Sequence, residues 1–239
     1  RDPADYAEHH GLLAYERLGT SRLFTYYGIP AGSDAVFFPG CALPGSRPDK
    51  TVYLYELLKK SIPGLGVVMD CCMKISHDLG REEYFQTMFG EMKSFLSESG
   101  IRQVIVACPN CYKVFSMYGG EIAVKTVYEV LADNLPVEGR GDATEVMAIH
   151  DPCAVRFDKG VQDSVRRIVK QQGWNCMEME HQGDKTFCCG AGGAAGCLAP
   201  DLSDKWGKKR KHEAGGIRMV TYCGGCASQL NKLSPTDHV

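Results

Sequence analysis

The chain has 239 residues, 44% of them hydrophobic and 23% charged, a composition typical of a globular protein of one or two domains. Its 27 basic and 29 acidic residues give a formal charge of -2, so no basic excess favours a nucleic-acid partner. No apolar run approaches the roughly 20 residues that cross a bilayer. Because no secretory leader is visible either, we expect a cytoplasmic chain with no membrane span of its own.

Short β-prone runs alternate with stretches long enough for helices, which predicts βαβ units and parallel sheets. Residues 1–35, with a helix over 4–18, form an N-terminal arm. The first domain, 36–140, has predicted strands at 36–38, 67–69, 104–106 and 122–125, and helices at 49–60, 82–96 and 127–135. The second, 141–239, has strands at 146–149, 176–179 and 217–222. It is expected to end before an equivalent of the last strand and helix, and the linker is placed at 136–144.

One helix of the second domain is predicted from its spacing alone. Val161, Val165, Ile168 and Val169 lie at i, i+4, i+7 and i+8, which gives one apolar stripe for packing on a sheet.

Ten of the twelve cysteines form an internal repeat of one cysteine, an adjacent pair and a C-x-x-C. The first copy is Cys41, Cys71, Cys72, Cys108 and Cys111, and the second is Cys153, Cys188, Cys189, Cys223 and Cys226. The intervals are 29 and 35 residues in the first copy and 34 and 33 in the second. Each element follows a predicted strand, so the cysteines should converge at the carboxyl ends of two Rossmann-like α/β sheets related by pseudo-symmetry.

Five converging thiols are compatible with disulfides, zinc or iron–sulfur chemistry. Disulfides are unusual in a cytoplasmic α/β domain of this size. Zinc takes four ligands and is poorly served by adjacent cysteines. An iron–sulfur cluster has several irons, which neighbouring thiolates can reach separately, although the ordinary ferredoxin run is absent.

The two copies resemble the CCG, or cysteine-rich, domain of the family that contains the B and D subunits of heterodisulfide reductase. The shared features are the spacing and three local motifs: His150-Asp151-Pro152-Cys153, Cys108-Pro109-Asn110-Cys111 and Cys223-Gly224-Gly225-Cys226. The resemblance covers nearly everything between residues 36 and 230. Gly190 follows Cys188-Cys189 as in the family, whereas Met73 follows Cys71-Cys72.

The resemblance implies that each five-cysteine motif binds a noncubane [4Fe-4S] cluster, so the ten cysteines are the expected cofactor and metal ligands. It further implies an oxidoreductase of sulfur groups that reduces a small disulfide, or runs the reverse, by one-electron steps. The chain lacks a ferredoxin motif and a flavin fingerprint, so a ferredoxin-type or flavin-containing partner is expected to donate electrons. Any attachment of the chain to a membrane complex is expected to be through such a partner.

Two rival functions remain open at this stage. One is an electron-transfer subunit that links a dehydrogenase of lactate or glycerol 3-phosphate to a quinone or other acceptor, with no bond chemistry of its own. The other is a non-redox zinc or scaffold protein, a hypothesis that only the C-x-x-C pairs support.

Several residues outside the ligand set have both a functional and a structural interpretation. His150, at a strand end beside the predicted site, is the expected catalytic proton donor to a product thiolate. Cys176 and Cys197 are interpreted as structural, Cys176 as a small core residue. Residues 190–196 are interpreted as close packing rather than a nucleotide loop. Lys74, His77 and Lys113 could hold an anionic substrate but are interpreted as solvated side chains. The basic run Lys208-Lys209-Arg210-Lys211 is interpreted as a solvated helix face or as a docking patch for an acidic electron carrier.

Overall fold

The computed structural model describes residues 10–132, 134–135, 145–192 and 195–239. The chain forms two compact units, Arg1–Lys125 and Thr126–Val239. The predicted linker at 136–144 and the start of the predicted first helix lie outside the described residues.

The first unit contains one mixed sheet. Its strands are β1 (Tyr26–Gly28), β2 (Ala35–Phe38), β3 (Gly66–Met69), β4 (Gln103–Val106) and β5 (Ala123–Thr126). They lie in the order β1-β3-β2-β4-β5, with β3, β2 and β4 parallel and β1 antiparallel to β3. Every residue of β2 is buried, as expected for a central parallel strand covered on both faces.

Six helices are described in the first unit. They are α1 (His10–Gly19), α2 (Ala42–Ser46), α3 (Pro48–Ser61), α4 (Lys74–Asp78), α5 (Glu82–Glu98) and α6 (Pro109–Tyr118). Proline at the first helical position begins both α3 and α6, where its missing N–H has no helical partner to lose. The apolar face of α5 packs into the core through Phe85, Phe89, Met92 and Leu96.

The second unit contains an all-parallel sheet. Its strands are β6 (Val146–His150), β7 (Asn175–Glu178), β8 (Met219–Thr221) and β9 (Thr236–His238), in the order β7-β6-β8-β9. Its described helices are α7 (Val127–Ala132), α8 (Lys159–Gln171), α9 (Ala195–Leu198), α10 (Pro200–Glu213) and α11 (Gly224–Leu230). The predicted apolar stripe of α8 is confirmed, because all four of its residues are buried.

The two sheets share one topology, since β3-β2-β4-β5 corresponds to β7-β6-β8-β9. This confirms the predicted α/β class with parallel sheets. Two expectations were wrong. The arm contributes β1 to the first sheet. The second unit also has an equivalent of β5, namely β9, which the sequence does not predict because the strand is polar.

The helix predicted at 127–135 is α7, which packs on α8 and belongs to the second unit. The boundary between the units along the chain lies between Lys125 and Thr126. None of the described helices combines the length and apolar character that crossing a membrane requires.

Candidate metal centres

Five cysteine sulfurs meet in the first unit and are called the first site: Cys41, Cys71, Cys72, Cys108 and Cys111. Cys41 comes three residues after β2, and Cys71 comes two residues after β3. Cys108 is the N-cap of α6, and Cys111 lies in its first turn. Because β2, β3 and β4 are parallel, their carboxyl ends share one edge of the sheet and bring these side chains together.

Hydrogen bonds between the sulfurs link the first site. The bond from the Cys71 thiol lowers the pKa of Cys41, and the same bond raises the pKa of Cys71. Cys111 bonds to Cys108 and Cys72, and these bonds raise the pKa of Cys111. Cys41 is therefore favoured as a thiolate, the form of cysteine that binds metals.

Gly40 leaves space for the first site in the turn after β2. Its φ is 77°, and a Cβ added to it would lie 2.9 Å from the Cys111 Sγ and 3.3 Å from the Cys108 Cβ. A side chain at this position would collide with two of the five cysteines of the first site.

Tyr15 is a site residue that sequence reasoning missed. Its hydroxyl hydrogen-bonds to Cys41, while its side chain stays 41% exposed. Burial, followed by the neighbouring Cys41, raises the pKa of Tyr15, so the phenol stays a neutral donor. Gly19, one turn further along α1, would place an added Cβ 3.5 Å and 3.6 Å from the Cβ atoms of Cys71 and Cys41. The helix predicted as part of an arm therefore forms a wall of the first site.

Five sulfurs also meet in the second unit and are called the second site: Cys153, Cys188, Cys189, Cys223 and Cys226. Hydrogen bonds link them in the order Cys153–Cys188–Cys189–Cys226–Cys223. Cys223 is the N-cap of α11 and Cys226 lies within that helix, as Cys108 and Cys111 do in α6.

Two members of the second site are favoured as thiolates. Hydrogen bonds from Cys153 and Cys189 lower the pKa of Cys188 to about 2, and the Gly190 N–H adds a bond of 3.3 Å to the Cys188 Sγ. The hydrogen bond from Cys226 lowers the pKa of Cys223 to about 7. The second site, like the first, thus has the chemistry of a metal-binding thiol set.

Asp151 fixes the loops that carry Cys153 and Cys188. Its buried carboxylate accepts two hydrogen bonds from Arg166, at 3.0 and 2.9 Å, and one each from the Tyr222 hydroxyl and the Gly183 N–H, both at 2.8 Å. Burial opposes ionisation, but these partners lower the pKa of Asp151. Asp151 belongs to the motif His150-Asp151-Pro152-Cys153, but the motif alone does not predict that its carboxylate holds these loops together.

His150, the predicted proton donor, is fully buried at the end of β6. One of its ring nitrogens and the sulfurs of Cys189 and Cys226 all lie within 4.8 Å of one another. Neither ring nitrogen has a hydrogen-bond partner among the residues that the structure describes. Burial, and then the charge of Arg210, lower the pKa of His150 to about 3, so the imidazole is neutral and carries one N–H.

Arg210 corrects the interpretation of the basic run. Lys208, Lys209 and Lys211 are exposed as expected, but Arg210 is fully buried on the inner face of α10. Its charge interacts with the sulfurs of Cys226 and Cys189. The available signal was the i, i+4, i+7 spacing of Ser203, Gly207 and Arg210, the three buried residues of the helix.

The remaining predicted side chains have other partners or face solvent. Lys74 forms an ion pair with Asp78, the His77 Nε2 is 2.7 Å from the Tyr118 hydroxyl, and Lys113 is exposed. Cys176 was wrongly placed in the core: it is exposed because β7 is an edge strand. The side chain of Cys197 lies outside the described part of the chain.

The donors of both sites fit an iron–sulfur cluster. None of the cysteines whose side chains the structure describes forms a disulfide, and a single tetrahedral zinc would leave one thiol of each site unused. Several irons and sulfides give all five thiols, including the adjacent pairs, a partner. In the second site, the one N–H of His150 and the unpartnered Nε and Nη2 of Arg210 can donate hydrogen bonds to such a sulfur-rich anionic group.

Comparison with known proteins identifies the family of the two segments that contain these sites. Residues 35–116 and 147–231 match the CCG family model, described as a cysteine-rich domain. The chain is 30% identical over 171 residues to the EtfAB:quinone oxidoreductase of Syntrophomonas wolfei. The aligned region covers 66% of this chain and 24% of that protein. The chain is 26% identical over 212 residues to the B subunit of the fumarate reductase (CoM/CoB) of Methanothermobacter marburgensis, covering 83% and 42%.

A third relative is the D subunit of the dihydromethanophenazine:CoB–CoM heterodisulfide reductase of Methanosarcina barkeri, 25% identical over 199 residues and covering 76% of this chain and 49% of that protein. The chain thus spans about a quarter to a half of the length of these relatives. It is related to iron–sulfur oxidoreductases and their subunits. The two matched segments contain all ten repeat cysteines, and the chain belongs to the CCG cysteine-rich domain family.

Proposed function

We propose that the chain is an oxidoreductase subunit in which the first and second sites each bind one noncubane [4Fe-4S] cluster and that it reduces a small disulfide. The observation that carries the proposal is the meeting of five sulfurs at the same place in two sheets of the same topology. When bound, such clusters supply electrons one at a time. Two electrons and two protons convert a disulfide into two thiols.

The chain's own residues hold and surround the proposed clusters. Gly40 and Gly190 let the backbone approach the sulfurs, and Asp151 braces the loops of the second site. The partly exposed Tyr15 stands at the first site, where it offers an O–H. His150 is proposed to relay a proton to the product thiolate: its single N–H beside the sulfurs of Cys189 and Cys226 is given up while its other ring nitrogen takes up a proton.

The electrons come, in this proposal, from a ferredoxin-type or flavin-containing partner in the cytoplasm. The names of the relatives support a larger redox assembly, since two of the three are called subunits. The match to a quinone oxidoreductase favours a second candidate function, electron transfer to a quinone without disulfide chemistry.

The first test is the metal content of the anaerobically purified chain. We expect about eight irons with equal sulfide, two four-iron clusters. Replacing Cys188 and Cys189 together by serine, or Cys71 and Cys72 together, should halve the iron. The matched control is Cys176→Ser, which changes an exposed cysteine and should leave the iron unchanged. Zinc without sulfide would overturn the cluster proposal.

The second test separates the two candidate functions. Reduced methyl viologen serves as the electron donor and bis(2-hydroxyethyl) disulfide as the small disulfide. Viologen oxidation that yields two thiols per two electrons, and that is lost in either cysteine pair variant, supports disulfide reduction. Fully loaded protein that passes electrons to a quinone analogue but not to the disulfide supports the second function instead.

A further inference from the structure

The central strands of the two units carry residues of opposite polarity at one equivalent position beside the sites. Phe38 of β2 pairs with Val106, and His150 of β6 pairs with Thr221. Each is three residues before the first cysteine of its site, and each partner is two residues before the C-x-x-C. Phe38 and His150 therefore occupy equivalent, fully buried positions, one apolar and one polar.

The first long helix after each cysteine pair, α5 or α10, shows the same contrast. The buried face of α5 is entirely apolar, with Phe85, Phe89, Met92 and Leu96. The buried face of α10 is Ser203, Gly207 and Arg210. This face lies against the cysteine pair, because the Ser203 hydroxyl donates to the Gly190 carbonyl and a Cβ added at Gly207 would lie 3.6 Å from the Cys189 carbonyl oxygen.

Arg210 is only partly satisfied by the protein. Its Nη1 donates to the His181 carbonyl and to Glu213, at 2.8 and 2.7 Å. Its Nε and Nη2 have no hydrogen-bond partner within the described ranges. A buried guanidinium with free donors is unfavourable unless an acceptor is bound, and the thiol groups of Cys226 and Cys189 are the nearby sulfur acceptors.

Charge at the first site has the opposite sign. Asp70 directly precedes Cys71, accepts its N–H at 2.7 Å and bonds to the Tyr27 hydroxyl. Among the residues that the structure describes, no lysine or arginine of the first unit is buried. Tyr15 supplies a single hydroxyl donor to Cys41, whereas the second site has the imidazole N–H and the N–H bonds of two unpartnered guanidinium nitrogens.

We infer that His150 and Arg210 raise the reduction potential of the second cluster above that of the first, so that the second site is the first to accept an electron. Reduction adds negative charge, which a buried cation and N–H donors stabilise and which a neighbouring carboxylate opposes. Glu213 and Asp151 offset part of the charge of Arg210, but Asp151 is itself paired with Arg166, and neither carboxylate occupies the free Nε and Nη2. The inference rests on the proposed binding of a cluster at each site.

The order of reduction can be measured without changing either residue. The variant that lacks the first pair, Cys71 and Cys72, retains the second cluster, and the Cys188/Cys189 variant retains the first. Anaerobic redox titration followed by electron paramagnetic resonance should give the higher potential for the retained second cluster. Equal or reversed potentials would overturn the inference while leaving the cluster proposal intact.

The effect of His150 and Arg210 on this potential is tested with two variants of the full chain. His150→Phe introduces the residue type of the equivalent Phe38, and Arg210→Lys keeps the positive charge but removes the planar guanidinium. Each should lower the ratio of reduced to oxidised second cluster at least tenfold at a fixed potential, about 59 mV for a one-electron couple. The first cluster should not shift. His150→Gln, which retains an N–H, should restore most of the potential.

Lys211→Met is the matched control, because Lys211 is the exposed neighbour of Arg210 and its loss removes a solvated charge. A shift of the second cluster as large as that of Arg210→Lys would show that general surface charge, not the buried donors, sets the potential. If the chain binds no iron, the proposed function fails; if it binds both clusters and His150→Phe shifts neither, this inference alone fails.

Discussion

Met73 and Gly190 occupy the same turn in the two units, each directly after its cysteine pair and each with positive φ, 59° and 98°. In both turns the N–H faces the first sulfur of the pair: Gly190 bonds to the Cys188 Sγ, and Met73 bonds to Cys71. Among the residues that the structure describes, Met73 is the only non-glycine residue with a positive φ. The methionine therefore keeps the local geometry of the family glycine, with backbone strain.

Glycine is usually less stabilising than alanine, but at position 73 we expect the glycine variant to be the more stable of the two. Both variants lose a buried thioether, about 2–5 kcal/mol. Glycine accepts the left-handed backbone, so Met73→Gly should be more stable than Met73→Ala by about 1 kcal/mol. The measurement is the free energy of unfolding in urea. The same pair at Met117, exposed within α6, should show alanine ahead; alanine ahead at both positions would contradict the strain argument.

Gly190→Ala should disrupt the second site selectively. An added Cβ would lie 2.3 Å from the Ser203 carbonyl oxygen on α10, so the helix or the turn must shift. The combined strain and overpacking should lower the free energy of unfolding by about 2–4 kcal/mol and remove the iron of the second site. Gly64→Ala is the control, because Gly64 has φ 80° and nothing within 4 Å of an added Cβ. Equal losses in both variants would rule out the steric explanation.

The predictable parts of the fold are those with a local signal. Hydrophobic runs such as Val104-Ile105-Val106 marked the central strands, and the repeated spacing marked the ten cysteines. The β1 and β9 strands have three residues each and no apolar alternation, so pairing with β3 and β8, not their own sequences, determines them. Arg210 was missed for a similar reason: its lysine neighbours suggested solvent, while the tertiary fold buries it against the second site.

Asp151→Ala should weaken the second site through its loops. The change leaves the Tyr222 hydroxyl and the Gly183 N–H without their acceptor and removes a buried carboxylate partner from Arg166. We expect a loss of about 3 kcal/mol in the free energy of unfolding, with reduced iron at the second site. Asp163→Ala, at an exposed position of α8, is the matched control. Full iron retention in Asp151→Ala would contradict the bracing role.

Glu16→Gln should loosen α1 from the first site. The Glu16 carboxylate is 1% exposed and accepts the Ser76 N–H at 2.9 Å and the Ser76 hydroxyl, which ties α1 to α4 just beyond the first cysteine pair. An amide has one acceptor oxygen for these two donors, so the free energy of unfolding should fall by about 1.5–3 kcal/mol. Because Tyr15 is the adjacent residue, the hydrogen bond to Cys41 should weaken as well, lowering the potential of the first cluster. Glu121→Gln, at an exposed position, should change neither quantity. A stability loss with no change in that potential would separate the anchoring of α1 from any influence of Tyr15 on the first site.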